Sequence, residues 1–238
     1  NTVKSEFGTP AFSHFCSLVM AITISHCSTI ERLARLLRNS THRTNHGEFL
    51  WRSDWNESSV MQQIALDMPR SLFTKKDRHL FFIIDDTQTL KRAKKMDAVG
   101  KLHHHATGKY GTGHTILKVC LYYHGVTIPW ASLLYVKQEH ASKLEIPFCK
   151  LTELAGEAIR RSTFSGKFNV TVLFDAFYLC PNVVDACKER KWHYIGVGKS
   201  NRWFTVGSIK RKLAKYGRNV LNNSGIWCNI AGLRKTKT

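Results

Sequence analysis

A mixed α/β fold, with elements in the order β-β-β-α-β-α-β behind a helical N-terminal region, is what this sequence predicts. Three observations carry that expectation. Two apolar runs, Phe81-Phe82-Ile83-Ile84 and Val170-Thr171-Val172-Leu173-Phe174, lead straight into aspartate, at Asp85-Asp86 and at Asp175. Nearly continuous apolar runs of this length belong to strands covered on both faces. Helical periodicity dominates the residues before about Arg78 and returns only between the later strands.

Composition bounds the class. The 238 residues include 36 lysines and arginines against 17 aspartates and glutamates, a formal net charge of +19 with a pI near 9.9. Such a balance suits a phosphate backbone as partner and argues against an enzyme of acidic metabolites. At 43% hydrophobic residues the chain is ordinary globular material. Its most apolar stretch, Phe12 to Ile24, is interrupted by Ser13, His14 and Ser17 and is too short to span a bilayer. A core helix is expected there, and no membrane partner. The seven cysteines, Cys16, Cys27, Cys120, Cys149, Cys180, Cys187 and Cys228, form no C-x-x-C pair, which fits buried thiols in a reducing compartment. Cys180, Cys187 and His193 match no common zinc spacing. No secretory signal precedes the fold, and Asn1 in place of methionine points to a fragment or a processed start.

In chain order, a helix pair is expected from about Pro10 to Arg38. Ser28-Thr29-Ile30-Glu31 is a capping box, and Ile30, Leu33, Leu36 and Leu37 make an apolar stripe with Arg32, Arg35 and Arg38 beside it. Those arginines either lie along DNA or form a solvated face. Asn56 is placed to cap a further helix in which Val60, Ile64, Leu66 and Met68 recur until Pro69 disturbs it. From Arg78 the period changes. His79 to Asp86 is the first strand, a long polar loop follows, and Thr115 to His124 and Val126 to Tyr135 form a hairpin about Gly125, with Pro129 marking an edge or a bulge. Pro147 opens a helix whose face is Phe148, Leu151, Leu154, Ala155, Ala158 and Ile159. Phe168 to Phe174, Pro181 to Arg190 and Trp192 to Val197 then read as strand, helix and strand. The order is that of a ribonuclease-H-like fold. Three regions are expected: a helical region over 1–75, read as DNA-binding, the ribonuclease-H-like core over 76–204, and a basic segment over 205–238 that resembles the start of a β-rich insertion.

The two strand-end acids carry the chemistry. Phosphodiester cleavage or strand transfer needs an activated nucleophile and a stabilised leaving oxyanion, which paired Mg²⁺ ions supply. Mg²⁺ takes hard oxygen ligands on rigid supports. Asp86 and Asp175 lie 89 residues apart, each closing an apolar strand, and they meet if the first and fourth strands are neighbours. The competing role for either one alone is to cap the turn that follows. By strand alternation Asp85 points away from Asp86.

At these residues the sequence resembles the bacterial insertion-sequence transposases of the DDE type. The likeness rests on Ile83-Ile84-Asp85-Asp86-Thr87, the basic Lys91-Arg92-Ala93-Lys94-Lys95, Gly108-Lys109-Tyr110-Gly111 and Leu173-Phe174-Asp175-Ala176-Phe177-Tyr178, with Phe49 to Asn56 in the helical part. It implies metal-dependent DNA cleavage and strand transfer at element ends, with Asp86 and Asp175 as metal ligands and catalytic residues. Mg²⁺, with Mn²⁺ as substitute, is the implied cofactor. DNA, as element ends and target, is the implied substrate. A homodimer in the active complex and a cytoplasmic, nucleoid-associated location are implied too. The family's third ligand is a glutamate on a helix after the fifth strand, and here the pattern departs: no aspartate or glutamate occurs from Lys191 to Thr238. The expectation is a chain truncated before its catalytic glutamate. Two alternatives stand beside it, a ribonuclease-H-like nuclease using Glu153 or Glu157, and a catalytically silent DNA-binding protein.

Basic side chains mark where DNA would lie. Lys91, Arg92, Lys94, Lys95, Lys101 and Lys109 crowd the segment after Thr87 against the single acid Asp97, and would add salt-dependent, sequence-independent affinity. His103-His104-His105 in the same segment would alternate in direction rather than converge on zinc. Arg202, with Lys199, Trp203 and Phe204, mixes charge with aromatics in the manner of a site that stacks on an unpaired base.

Overall fold

The computed structural model describes residues 2–26, 29–37, 41–72, 78–92, 96–104, 107–164, 168–206, 208–224, 227–228 and 236–237. The chain divides into two compact units, Asn1–Asp77 with Tyr123–Ser132, and Arg78–Tyr122 with Leu133–Thr238.

The first unit is built from α1 (Thr9–Ser25), α2 (Ile30–Leu36), α3 (Arg43–Arg52) and α4 (Glu57–Leu72). Ala11, Leu18 and Ala21 recur at helical spacing and bury one stripe of α1 against Leu33 and Phe49, with Phe7, Phe15, Leu37 and Trp55 closing around them. The Trp55 ring stacks on Phe7 at 5.4 Å and on Phe49 at 5.3 Å. The expected core helix is buried along that stripe alone. Val19, Met20, Ile22 and Ile24 on its other sides are exposed. Thr29, not Ser28, is the residue before α2; Ser28 and Arg38 lie outside the described residues. Asn56 does cap α4, its Oδ1 accepting the Ser59 amide at 2.9 Å. Helix α4 continues past Pro69 to Leu72. Helix α3 escapes the periodicity argument, since only His46 and Phe49 of its ten residues are buried. Among the described residues no single helix is long and apolar enough to cross a membrane.

The rest of the chain is organised by a mixed sheet, whose residues 123–132 fall in the first unit. Its strands are β1 (His79–Leu90), β2 (Gly100–His104), β3 (Lys109–Tyr123), β4 (Val126–Tyr135), β5 (Asn169–Phe174) and β6 (His193–Gly196), in the order β2-β3-β1-β5-β6 with β4 paired to β3. Between them lie α5 (Gln138–Lys143), α6 (Leu151–Arg161) and α7 (Pro181–Glu189). Beyond β6, β7 (Trp203–Val206) and β8 (Ile209–Lys212) pair antiparallel ahead of α8 (Leu213–Ser224), and β9 (Trp227–Cys228) pairs with β10 (Thr236–Lys237). The β3–β4 turn places His124 and Gly125 both at positive φ, 46° and 81°, which is the twist a two-residue hairpin turn requires. Pro129 is exposed on β4, which among the described residues pairs with β3 on one edge, the edge-strand position where proline is tolerated.

β1 pairs antiparallel with β3 from Phe81↔Tyr122 to Leu90↔Gly113, and parallel with β5 from His79↔Asn169 to Ile84↔Phe174. The strand therefore does not stop at Asp86, as the apolar run suggests. It continues four residues further on β3 alone, and β2 occupies part of the expected loop. Close approach at that end is possible because Gly113 has no side chain: a Cβ there would sit 2.3 Å from the Thr89 carbonyl oxygen. Helix α6 starts at Leu151 rather than Pro147, leaving Phe148 half-exposed before it. It packs on α7 through Gly156, where a Cβ would come within 2.9 Å of the Asn182 carbonyl oxygen, and through Arg160, whose Nε donates to Glu189 at 2.7 Å. The strand-helix order around β1, β3, β4, α6, β5, α7 and β6 is the ribonuclease-H-like one.

Candidate metal centre

Register brings the two aspartates together. The parallel ladder ends at Ile84↔Phe174, so Asp175 is the first residue past it on β5 and Asp86 the second past it on β1. Along β1, Leu80, Phe82 and Ile84 are buried, and Asp86 continues that face half-buried while Asp85 is exposed, as alternation requires. With β5 finished, the Asp86 amide donates to the Asp85 carboxylate at 2.9 Å. Asp175 turns the chain out of β5: its Oδ1 accepts the Phe177 amide at 2.9 Å and the Tyr178 amide at 3.3 Å. The turn-capping role and the meeting of the two acids thus coexist.

Tyr178 is the residue at this centre that strand-end reasoning does not single out. Its side chain is fully buried, and its hydroxyl donates to Asp86 Oδ1 at 2.8 Å. Burial above all, then the hydrogen bond to Asp86 and the charges of Asp86, Asp85 and Asp175, push its pKa well above the ordinary tyrosine value. The phenol stays protonated, a donor to the carboxylate. The signal available in the sequence was the spacing, an aromatic hydroxyl three residues past Asp175 where the turn carries it back over the sheet. Arg202 closes the other side of the turn: its guanidinium donates to the Leu179 carbonyl and, at 3.4 Å, to the Ala176 carbonyl.

The remaining candidates are distributed as follows. Lys91 is half-buried, its amide bonded to the Thr112 carbonyl at 2.8 Å, while Arg92, Lys101 and Lys109 are exposed. Lys94, Lys95 and His105 lie outside the described residues. Lys101 places its ammonium 5.2 Å from the centre of the exposed Tyr110 ring, and the His103 ring meets the same tyrosine edge-on. Glu153 reaches back to the Lys150 amide at 2.8 Å at the start of α6, and Glu157 pairs with Arg160 and Arg161 at 3.3 and 3.4 Å. Both glutamates thus serve the helix itself. Arg35 pairs with Glu31 at 2.6 Å, as surface i,i+4 residues do.

Two acids just past the end of the parallel β1–β5 ladder lie in a sheet of ribonuclease-H-like order. More particularly, the family model of the DDE superfamily endonucleases matches residues 16–220, and the chain belongs to that family. A crystal structure of the Mos1 strand transfer complex is similar at 13% identity with a TM-score of 0.24, over 77% of this chain and 57% of that one. The Mos1 transposase paired-end complex with left transposon end is similar at 14% identity and a TM-score of 0.23, over 75% and 57%. The chain therefore spans 57% of the length of these solved chains. No curated protein matches the sequence.

Enzymes of this family depend on a divalent metal. The donor chemistry fits one: Asp86 on β1 and Asp175 on the turn that leaves β5 offer hard carboxylate oxygens, and Mg²⁺ is commonly held by one or two carboxylates with waters and substrate phosphates completing its shell. Among the described residues no group of three His, Cys, Asp or Glu side chains is placed to hold an ion, so the pair has no third acidic partner there.

Proposed function

We propose that this chain is the catalytic part of a DDE transposase, which cuts the ends of a DNA element and joins them to target DNA. The supporting observation is the register that sets Asp86 beside Asp175 where the β1–β5 ladder stops. In this reading both carboxylates hold the metal, Mg²⁺ in its natural use and Mn²⁺ as substitute. A bound divalent ion supplies an acidified water or 3′-hydroxyl for attack and stabilises the departing oxyanion. The protein's own contribution is to keep the two acids side by side where the β1–β5 ladder ends and to meet the DNA with positive charge. Arg92, Lys101 and Lys109, exposed, and Lys91 beside them, are assigned to phosphates; Lys94 and Lys95 belong to the same basic run in sequence. A net charge of +19 supports a polyanionic substrate. The active complex is assigned as a homodimer, on family resemblance.

The test is Mn²⁺ binding to the full chain, followed by electron paramagnetic resonance of the free ion. Wild type is expected to bind, and Asp86→Ala and Asp175→Ala each to lose that binding. Binding that ignores both substitutions would remove the metal centre. In parallel, duplex DNA affinity should fall linearly in log K against log salt, with the slope reduced by about one for each phosphate-contacting lysine replaced.

A further inference from the structure

We propose that Tyr178 is a positioning residue for the carboxylate pair: its hydroxyl orients Asp86 from the same turn whose Phe177 and Tyr178 amides hold Asp175. The proposal rests on the metal reading of Asp86 and Asp175.

The geometry is that of a brace. One residue touches Oδ1 of both aspartates, at 2.8 Å by the side chain and 3.3 Å by the backbone. No described residue donates to Oδ2 of either acid, so each carboxylate has one oxygen fixed by the protein and one left over. Without such a brace, Asp175 is exposed on a turn and Asp86 sits on a strand that has lost its parallel neighbour. Without the hydroxyl the Asp86 carboxylate would rotate about χ2, where aspartate has a broad torsional well, while Asp175 keeps the Phe177 and Tyr178 amides on its Oδ1. Two carboxylates brought together also repel, and a neutral donor on Asp86 offsets part of that cost without adding a charge that would compete with a cation.

A purely packing role accounts less well for what is seen. A buried hydroxyl is costly to desolvate, and phenylalanine would fill the same space without that cost. Here the phenol's one donor finds a carboxylate. The turn carrying it is itself fastened from outside, by Arg202 on the Ala176 and Leu179 carbonyls and by the Cys180 amide on the Tyr178 carbonyl at 2.8 Å. The carbonyls on both sides of Tyr178 are therefore tied down, which fixes where its hydroxyl arrives.

The experiment compares Mn²⁺ dissociation constants for the full chain as wild type, Tyr178→Phe, Asp86→Ala and Asp175→Ala, with the thermal midpoint of each metal-free protein measured alongside. Removal of a hydrogen-bond partner behind a metal ligand typically weakens affinity about 10- to 100-fold, and Tyr178→Phe is expected in that range. Its metal-free midpoint should stay close to wild type. Affinity for Tyr178→Phe within about twofold of wild type, while the aspartate variants lose binding, overturns the proposal and leaves the metal centre standing. Binding that survives in the aspartate variants overturns the metal centre and the proposal with it. Should Tyr178→Phe show no cooperative unfolding, Arg202→Met takes its place, because it frees the two carbonyls while leaving ring and hydroxyl intact. The same weakening is expected from it, and unchanged affinity again overturns the proposal.

Discussion

Residues 80–84 of β1 and residues 18–24 of α1 are comparably apolar, yet their side chains end in different places. On β1, Leu80, Phe82 and Ile84 are at most 2% exposed, with Phe81 and Ile83 half-buried between them. On α1, Leu18 and Ala21 are buried while Met20 is 61% and Ile24 69% exposed. The reason is geometric. A central strand offers only two faces, and β1 has neighbours on both edges and cover on its inner face, so a continuous run is largely consumed. A helix distributes the same run around a full circle, and its partners in the first unit take one stripe. An apolar run therefore determines burial in a central strand and merely permits it in a helix.

Substitutions can break that contrast. The largest effect on folding is expected in the sheet: Phe82→Ala removes a fully buried ring packed against Phe164 and Trp192, and should destabilise by about 3–5 kcal/mol in denaturant titration. A cost below about 1 kcal/mol would mean that β1 is no more committed than α1.

Acidification should act on the helices instead. His46 is buried, with its Nδ1 3.1 Å from His14 Nδ1, and burial first and the His14 charge second hold its pKa below the ordinary 6.5. The folded state thus refuses a proton that the unfolded state accepts. Its contribution is full above about pH 6.5 and is lost as pH falls below that value toward the folded pKa. Helical stability followed at pH 7.5 and 5.5 should drop at the lower pH, and His46→Gln should flatten the drop.

The Asn56 cap offers a smaller increment. Asn56→Ala should cost about 1 kcal/mol through the orphaned Ser59 amide, read by chemical denaturation. Smallest of all, Met20→Gln and Ile24→Gln should each change stability by less than about 0.5 kcal/mol, since both side chains are already in water. A loss of several kcal/mol from either would show that this face of α1 is covered in solution.

Legibility in the sequence follows the same division. The strands β1 and β5 could be placed because their runs are apolar throughout, and Asp86 and Asp175 stood out because acids are costly at such positions. The extension of β1 through Thr87 to Leu90, and β2 beside it, could not be seen. Their stability comes from pairing with β3, and polar residues at a sheet end carry no period. Helix α3 stayed hidden because two buried residues in ten leave too narrow a stripe. Arg202 read as a free cation among aromatics; its bonds to the Ala176 and Leu179 carbonyls depend on a turn 23 to 26 residues away in sequence.

By itself the sequence determined the order of the apolar strands and their crossover helices and which two acids follow apolar runs, because both are properties of hydrophobic runs and of residues adjacent to them. Only the tertiary structure decided the rest. It set the register that puts Asp86 beside Asp175, extended β1 past them, turned Glu153 and Glu157 to helix caps and ion pairs, and brought the Tyr178 hydroxyl to Asp86 across 92 residues. Hydrogen bonds and register join residues distant in the chain, and no local period encodes which partner each will find.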